Sequence, residues 1–355
     1  MTGPVVWVST SMETKGGVAS FVRGMSTTPL WQRWNIQHVV THRDGSVAVK
    51  VGQFATSAVV FLGLLIRNRP AVVHLHVASN GSFYRKALLA GLASLARVPI
   101  VTHVHGAAFH DFYADSPVIT RAAVRWLLGN SAVVVALGET WAHRLRAMQP
   151  SARILVVPNT ARPEQPVGQP GLDESVHVLF AGRIATDKGV FDLVHAWQKV
   201  LANCTGHPTP RLSLIGDGDL GECHRLVDTL GLSGTIDVAG WVSPDAVPDL
   251  MRSAHVLVLP SYMEGQPMAI LEAMAKGLCV VASNAGGIPD LVDDRCAVLM
   301  SPGDIDGLAN SLVDVITDPQ LRVRLGRAAL DRIHREFDID VVWRRFDDLY
   351  REITR

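Results

Sequence analysis

Short apolar runs that end in glycine, proline or polar turn residues and pass into stretches of helical periodicity recur along the chain. They fall at residues 5–8, 71–77, 99–104, 132–136, 154–157, 176–180, 212–215, 235–238 and 256–259. Strands that alternate with helices in this way select an α/β fold with parallel, helix-flanked sheets, whose ligands gather at the carboxyl ends of the strands. At 355 residues the chain exceeds what one core of this kind needs, so two units are expected. The Pro- and Gly-rich segment 161–171 is the expected linker. It separates an N-terminal domain, 1–165, from a C-terminal domain, 172–338, and a last helical segment, 339–355.

Composition narrows the classes further. Apolar residues make up 48% of the chain, ample for burial, and formal net charge is zero. Residues 1–165 nevertheless carry 16 Lys+Arg against 6 Asp+Glu, which leaves 33 − 16 = 17 against 33 − 6 = 27 for the rest. A basic first half predicts an anionic ligand or surface on that side, and nucleic acid is not the expected partner. Cys204, Cys223, Cys279 and Cys296 lack metal-ligand spacing and read as reduced structural thiols. The start of the chain reads as a first strand without a basic leader, and a cytoplasmic protein is expected. Residues 53–66 are apolar but shorter than the ~20 residues a spanning helix needs, which predicts a buried helix.

The motif-bearing stretches lie at strand ends. Residues 256–259 run through Pro260 into a loop with Glu264, Gly265 and Gln266, then into a helix for which Pro267 suits the first turn and Met268 follows. Backbone N–H groups at such a helix entrance suit a phosphate or sugar hydroxyls, and Glu272, about two turns into the helix, would reach another part of the same ligand. Gly182-Arg183 and Lys188-Gly189 follow the strand at 176–180. A forked guanidinium and a compact ammonium there can neutralise a diphosphate. Gly216 opens a turn whose Asp217-Gly218-Asp219 imitates a metal-binding pair, although no metal site is expected. Gly16 and Gly17 sit at the first strand-to-helix turn, where glycine allows close backbone approach to a ligand.

Together these residues resemble the donor site of family 4 retaining glycosyltransferases of the GT-B fold, in which two glutamates with seven residues between them follow an arginine and a lysine. The resemblance is firm over residues 176–309 and looser before it. Proline and glutamate are usual in the family where this chain has Cys279 and Asp290. The resemblance implies two Rossmann-like domains facing across a cleft, with the C-terminal helix crossing back to the first domain. It implies a nucleotide-sugar donor, transfer with retention and no metal or other cofactor. It casts Arg183 and Lys188 as stabilisers of the leaving diphosphate, Glu264 and His105 as groups at the donor sugar, and Glu272 at the ribose. Gly16 and Gly17 would face the diphosphate, Gly216 would keep its family turn, and the backbone of Trp241 and Val242 would meet the base. His103 is expected on the opposite strand face from His105.

The acceptor side is read from the basic half. Tyr84, Arg85 and Lys86 form an aromatic and basic cluster at the start of a helix, with His110 and Asp111 in the loop after His105. In the resembled enzymes that use lipid-linked acceptors this face meets the membrane, and a lipid-linked saccharide at the inner leaflet is the expected acceptor. Two rivals share the architecture: a nucleotide-sugar epimerase, which would need no acceptor, and a sugar-binding protein without turnover.

Overall fold

The computed structural model describes residues 3–355; the first two residues of the expected N-terminal domain lie outside it. The chain forms two compact units, one that ends at Thr160 and takes in Ile339–Arg355, and one that spans Ala161–Asp338.

The first unit is built on β1 (Val5–Ser9), β2 (Gln37–Val40), β3 (Val72–Val77), β4 (Ile100–Val104), β5 (Val133–Ala136) and β6 (Ile154–Val156). All pair in parallel in the order β2-β1-β3-β4-β5-β6. Strands β1, β3, β4 and β5 are buried along their whole length, as a sheet covered on both faces requires. Strand β2 was not anticipated, because Gln37 and His38 break the apolar pattern that marks the central strands. The chain winds from β1 to β2 on one side and returns to β3 on the other. The loops after β1 and β3 therefore part at a switch point.

The final helix, Ile339–Ile353, belongs to this unit because its stripe of Ile339, Val342, Trp343, Phe346, Leu349 and Tyr350 is buried. Asp347 anchors it, accepting from Trp34 Nε1 at 2.8 Å and from the Arg33 guanidinium at 2.5 Å. The second unit repeats the plan with β7 (His177–Ala181), β8 (Arg211–Ile215), β9 (Ile236–Ala239), β10 (Val256–Leu259), β11 (Cys279–Ser283) and β12 (Val298–Met300). Its order is β12-β11-β10-β7-β8-β9, so its switch point lies between β7 and β10. The four cysteines are free and buried in its core.

One expectation fails. The apolar segment around residues 53–66 belongs to a longer helix, Val47–Arg67, of 21 residues and mean hydropathy 1.8. Its buried residues are Ser57, Phe61 and Leu65, a single stripe spaced by four. Val47, Val51, Val59 and Ile66 face outward. By length and composition it could cross a membrane; apolar content alone does not reveal which face of an outer-layer helix meets the sheet.

The core of the first unit carries unusual polarity. Trp7 Nε1 donates to Tyr350 Oη at 2.8 Å, that hydroxyl meets His74 Nδ1, and His74 Nε2 lies 3.3 Å from His103 Nδ1. Register explains the cluster: Trp7 is the partner of His74, and His76 of His103. Burial holds His74, His76 and His103 well below the usual imidazole value of 6.5 and lowers His38 to about 4. These rings are neutral when folded but take up protons near pH 6.5 when unfolded, so the unfolded chain binds more protons below that pH. Stability is therefore full above about pH 6.5 and is lost as pH falls through it, by up to ~1.4 kcal/mol per pH unit per histidine. Urea denaturation between pH 7.5 and 5 should show a falling midpoint with proton uptake on unfolding; a flat profile would contradict it.

Candidate active site

In the second unit the loops after β7 and β10 converge at the switch point, where open sheets of this kind hold ligands. After β7 the chain runs through Gly182 and Arg183 to a 3-10 turn, Thr186–Lys188, and Gly189 then caps the helix Val190–Asn203. Gly189 is left-handed (φ 66°), and a Cβ there would fall 2.2 Å from the Pro260 carbonyl oxygen. Only glycine lets the loops meet so closely. Tyr262 N donates to Asp187 O at 3.0 Å across the same seam.

Lys188 and Glu264 are drawn together by this seam. Lys188 Nζ donates to Glu264 Oε1 at 2.6 Å, and Ser261 Oγ donates to the same oxygen at 2.8 Å. Their side chains are 21% and 13% exposed, so the pair is desolvated more than a surface salt bridge. Arg183 bonds Asp187 at 2.9 Å in an exposed setting, which leaves its guanidinium open to an incoming anion. The turn after β8 closes the other side. Gly182 N bonds Ile215 O at 3.0 Å, Ile184 N bonds Asp217 O at 2.7 Å and Asp219 N bonds Ile184 O at 2.8 Å. Gly216 (φ 150°) is required there, since its Cβ would lie 1.7 Å from Gly182 O. Asp217 and Asp219 thus use their backbone to build the turn.

The remaining donor-side residues surround the same edge. Gln266 is buried, Pro267 is the N-cap of the helix Met268–Met274, and Met268 and Val242 pack on the core. Trp241 is 46% exposed beyond β9. Glu272 is the fifth residue of a seven-residue helix, little more than one turn in. The expected two turns are corrected because half of the spacing from Glu264 is loop.

In the first unit, Gly16 (φ 109°) is the N-cap of the helix that begins at Gly17. His105 follows β4, held by His105 N to Val77 O at 2.9 Å, and its Nε2 lies 2.9 Å from His76 Nδ1. Burial and the Lys86 charge push His105 down to about 3, so its ring is neutral. His103 is not on the opposite face: residues two apart on a strand share a face, and its ring centroid is 4.0 Å from that of His105. His74, His76 and His103 offer nitrogens within 4.8 Å of one another, a grouping the sequence reading did not find.

The Tyr84–Lys86 cluster is also redistributed. Tyr84 is exposed, with its hydroxyl 3.1 Å from Thr120 Oγ1. Lys86 is 2% exposed and donates to Ser82 Oγ at 3.2 Å. It shares the inner face of the helix Gly81–Leu95 with Phe83, three residues earlier, and cannot belong to a surface patch. His110 is partly buried and Asp111 exposed at the start of the helix Phe109–Asp115.

Family models match both units: "Glycosyl transferase 4-like domain" over residues 17–160 and "Glycosyl transferases group 1" over 175–318. The chain is a family 4-type glycosyltransferase of the GT-B fold. It is 29% identical to the 2-deoxystreptamine N-acetyl-D-glucosaminyltransferase of Streptomyces fradiae, with 78% of this chain and 70% of that protein covered. It is 26% identical to the UDP-Gal:alpha-D-GlcNAc-diphosphoundecaprenol alpha-1,3-galactosyltransferase of Escherichia coli, covering 82% and 78%. It spans only 53% and 56% of two longer relatives from Arabidopsis thaliana and Schizosaccharomyces pombe. Among solved structures it is similar to a sucrose-phosphate synthase from Thermosynechococcus elongatus, with TM-score 0.80, 17% identity and 99% of both chains covered.

Two positioning residues of this glycosyltransferase escaped the sequence reading. Ser261 holds Glu264, and its signal was only a serine before a glycine loop. His76 holds His105, and its signal was the His74-x-His76 spacing on a buried strand. A third support is Gly286 (φ 57°), where a Cβ would sit 2.1 Å from Glu264 O, the oxygen that accepts from Gly287 N at 3.0 Å. Gly286→Ala should cost about 2–3 kcal/mol in urea denaturation through backbone strain and displacement of the Glu264 loop. An unchanged midpoint would show that the loop absorbs the clash.

Proposed function

We propose that this glycosyltransferase moves a hexosyl unit from a UDP- or GDP-sugar to a saccharide acceptor, with retention of configuration and without a metal ion. The observation that carries the reading is the meeting of Lys188 and Glu264 beside an open Arg183 at the switch point. This combines cationic charge for a leaving diphosphate with a carboxylate for sugar hydroxyls. Arg183 and Lys188 stabilise charge that develops on the leaving group, and Glu264 accepts from the donor sugar. Glu272 accepts from the ribose, and His105, neutral, presents an imidazole nitrogen to the hexose. The leaving phosphate takes the acceptor proton on the face from which it departs, so no protein nucleophile is needed. The name of the Escherichia coli relative, which specifies UDP-Gal and a diphosphoundecaprenol-linked acceptor, supports a UDP donor and a lipid-linked acceptor.

The protein acts in the cytoplasm at the inner leaflet in this reading. Exposed Val59, Ile66, Tyr84 and Leu88, together with the basic excess of residues 1–165, support attachment to an anionic membrane surface. Purified protein screened against UDP- and GDP-sugars in chelator should hydrolyse one donor slowly without acceptor. Arg183→Ala should slow that reaction by about 10²–10³-fold, Glu272→Ala should weaken donor binding, and both should remain folded. Transfer products should keep the donor's anomeric configuration by NMR. Absence of nucleotide-sugar binding, or dependence on added metal, would refute the corresponding part of the reading.

A further inference from the structure

In the first unit, two adjacent cations, Arg85 and Lys86, lie in the helix that follows the carboxyl end of the central strand β3. Ala78 N donates to Ser82 Oγ at 3.2 Å, and that hydroxyl receives Lys86 Nζ at 3.2 Å, which fixes the buried ammonium against the loop after β3. The Arg85 guanidinium folds over the first turn of the same helix, where a Cβ on Gly81 would lie 3.1 Å from it. The loop after β4 touches this one, with a Cβ on Gly106 falling 3.4 Å from Ala78 Cα and 3.5 Å from Ser79 N. Among the described residues neither Arg85 nor Lys86 has an ion-pair partner. Among the same described residues, Arg85 Nε, Ser79 Oγ and His42 Nδ1 are buried atoms with no hydrogen-bond partner, and the Arg85 and Lys86 charges act on His42. Buried polar atoms are satisfied in the great majority of cases, so a group of orphans beside uncompensated cations marks a missing ligand.

We propose that Arg85 and Lys86, with Ser79 and His42 around them, form a subsite for a phosphoryl group carried by the acceptor. This deepens the reading of the protein as a glycosyltransferase and rests on it. A phosphate dianion supplies acceptor oxygens to a guanidinium and an ammonium at once and takes no donor it lacks. The groups facing the subsite fit that charge. Lys50 and His105 add no negative charge, and the carboxylate that reaches the group is Asp44, 3.8 Å from His42 Nε2. Burial lowers Lys86 to about 7 and also lowers Arg85, the state expected of cations whose counter-ion is absent.

Inorganic sulfate is a suitable probe because it stays a dianion across the relevant range, so any proton taken up comes from the protein. Titration calorimetry of the full chain at pH 8, in two buffers of different ionisation enthalpy, should show sulfate binding coupled to proton uptake as Lys86 becomes charged. Arg85→Met and Lys86→Met should each weaken binding by at least about tenfold, and Lys86→Met should abolish the proton uptake. Sulfate should still bind when UDP or GDP saturates the donor site. Sulfate binding that is unchanged in both variants, or lost on adding nucleotide, overturns the assignment to the acceptor, and binding without proton uptake removes Lys86 from it. Donor hydrolysis by the wild-type protein is measured separately. Its absence would count against the glycosyltransferase reading and leave the sulfate result standing.

Discussion

The bond between Lys188 and Glu264 is the contact on which the second unit's candidate site depends. It links the loop after β7 to the loop after β10, whose strands are neighbours in the sheet but far apart in sequence. Two glycines make it possible. Gly189 brings the first loop against Pro260, and Gly286 brings the loop after β11 against Glu264. A partly buried pair of this kind contributes little to net stability after desolvation, so its value lies in orientation. It keeps a carboxylate oxygen and an ammonium at fixed positions at the switch point.

The two units solve the same topological problem with different interiors. The second packs an aliphatic core in which Arg322, fully buried, donates to the carbonyls of Val315 and Ile316 at 2.7 and 2.8 Å at a helix end and to Pro170 at 2.6 Å. The first places three imidazoles on two adjacent strands and a fourth, His105, on the residue after β4. They form two bonded pairs, His74 with His103 and His76 with His105, closed at one end by Tyr350 and Trp7. His105 reaches the surface of this column, so its ring orientation is set by His76 and by the packing beneath it.

The fold was legible because parallel strands buried on both faces write themselves as continuous apolar runs, as 72–77 and 256–259 do. The loops that carry Arg183, Lys188 and Glu264 were legible because they are pinned to those strand ends. What escaped depends on facing rather than on composition. The helix Val47–Arg67 carries apolar residues on its exposed side as well as on the one stripe it buries, so apolar content does not distinguish the two. Lys86 read as a surface cation because it lies beside Tyr84 and Arg85, whereas its three-residue spacing from Phe83 turns it inward. His103 was assigned to the wrong face, although strand periodicity alone places it with His105. Strand β2 was hidden by its polar residues at a sheet edge.

Charge separates the units more sharply than fold does. In the second unit each cation at the site already has a carboxylate within reach, Arg183 with Asp187 and Lys188 with Glu264. Opposite charges are thus already paired on this side. Among the described residues, Arg85 and Lys86 of the first unit have no such partner, and Lys86 meets burial by giving up its proton more readily. A ligand that brings negative charge beside it would favour the protonated form of Lys86. The excess of ten basic over acidic residues in 1–165 (16 − 6) is therefore not wholly a surface property, because Lys86 is buried, where a charge carries a desolvation cost.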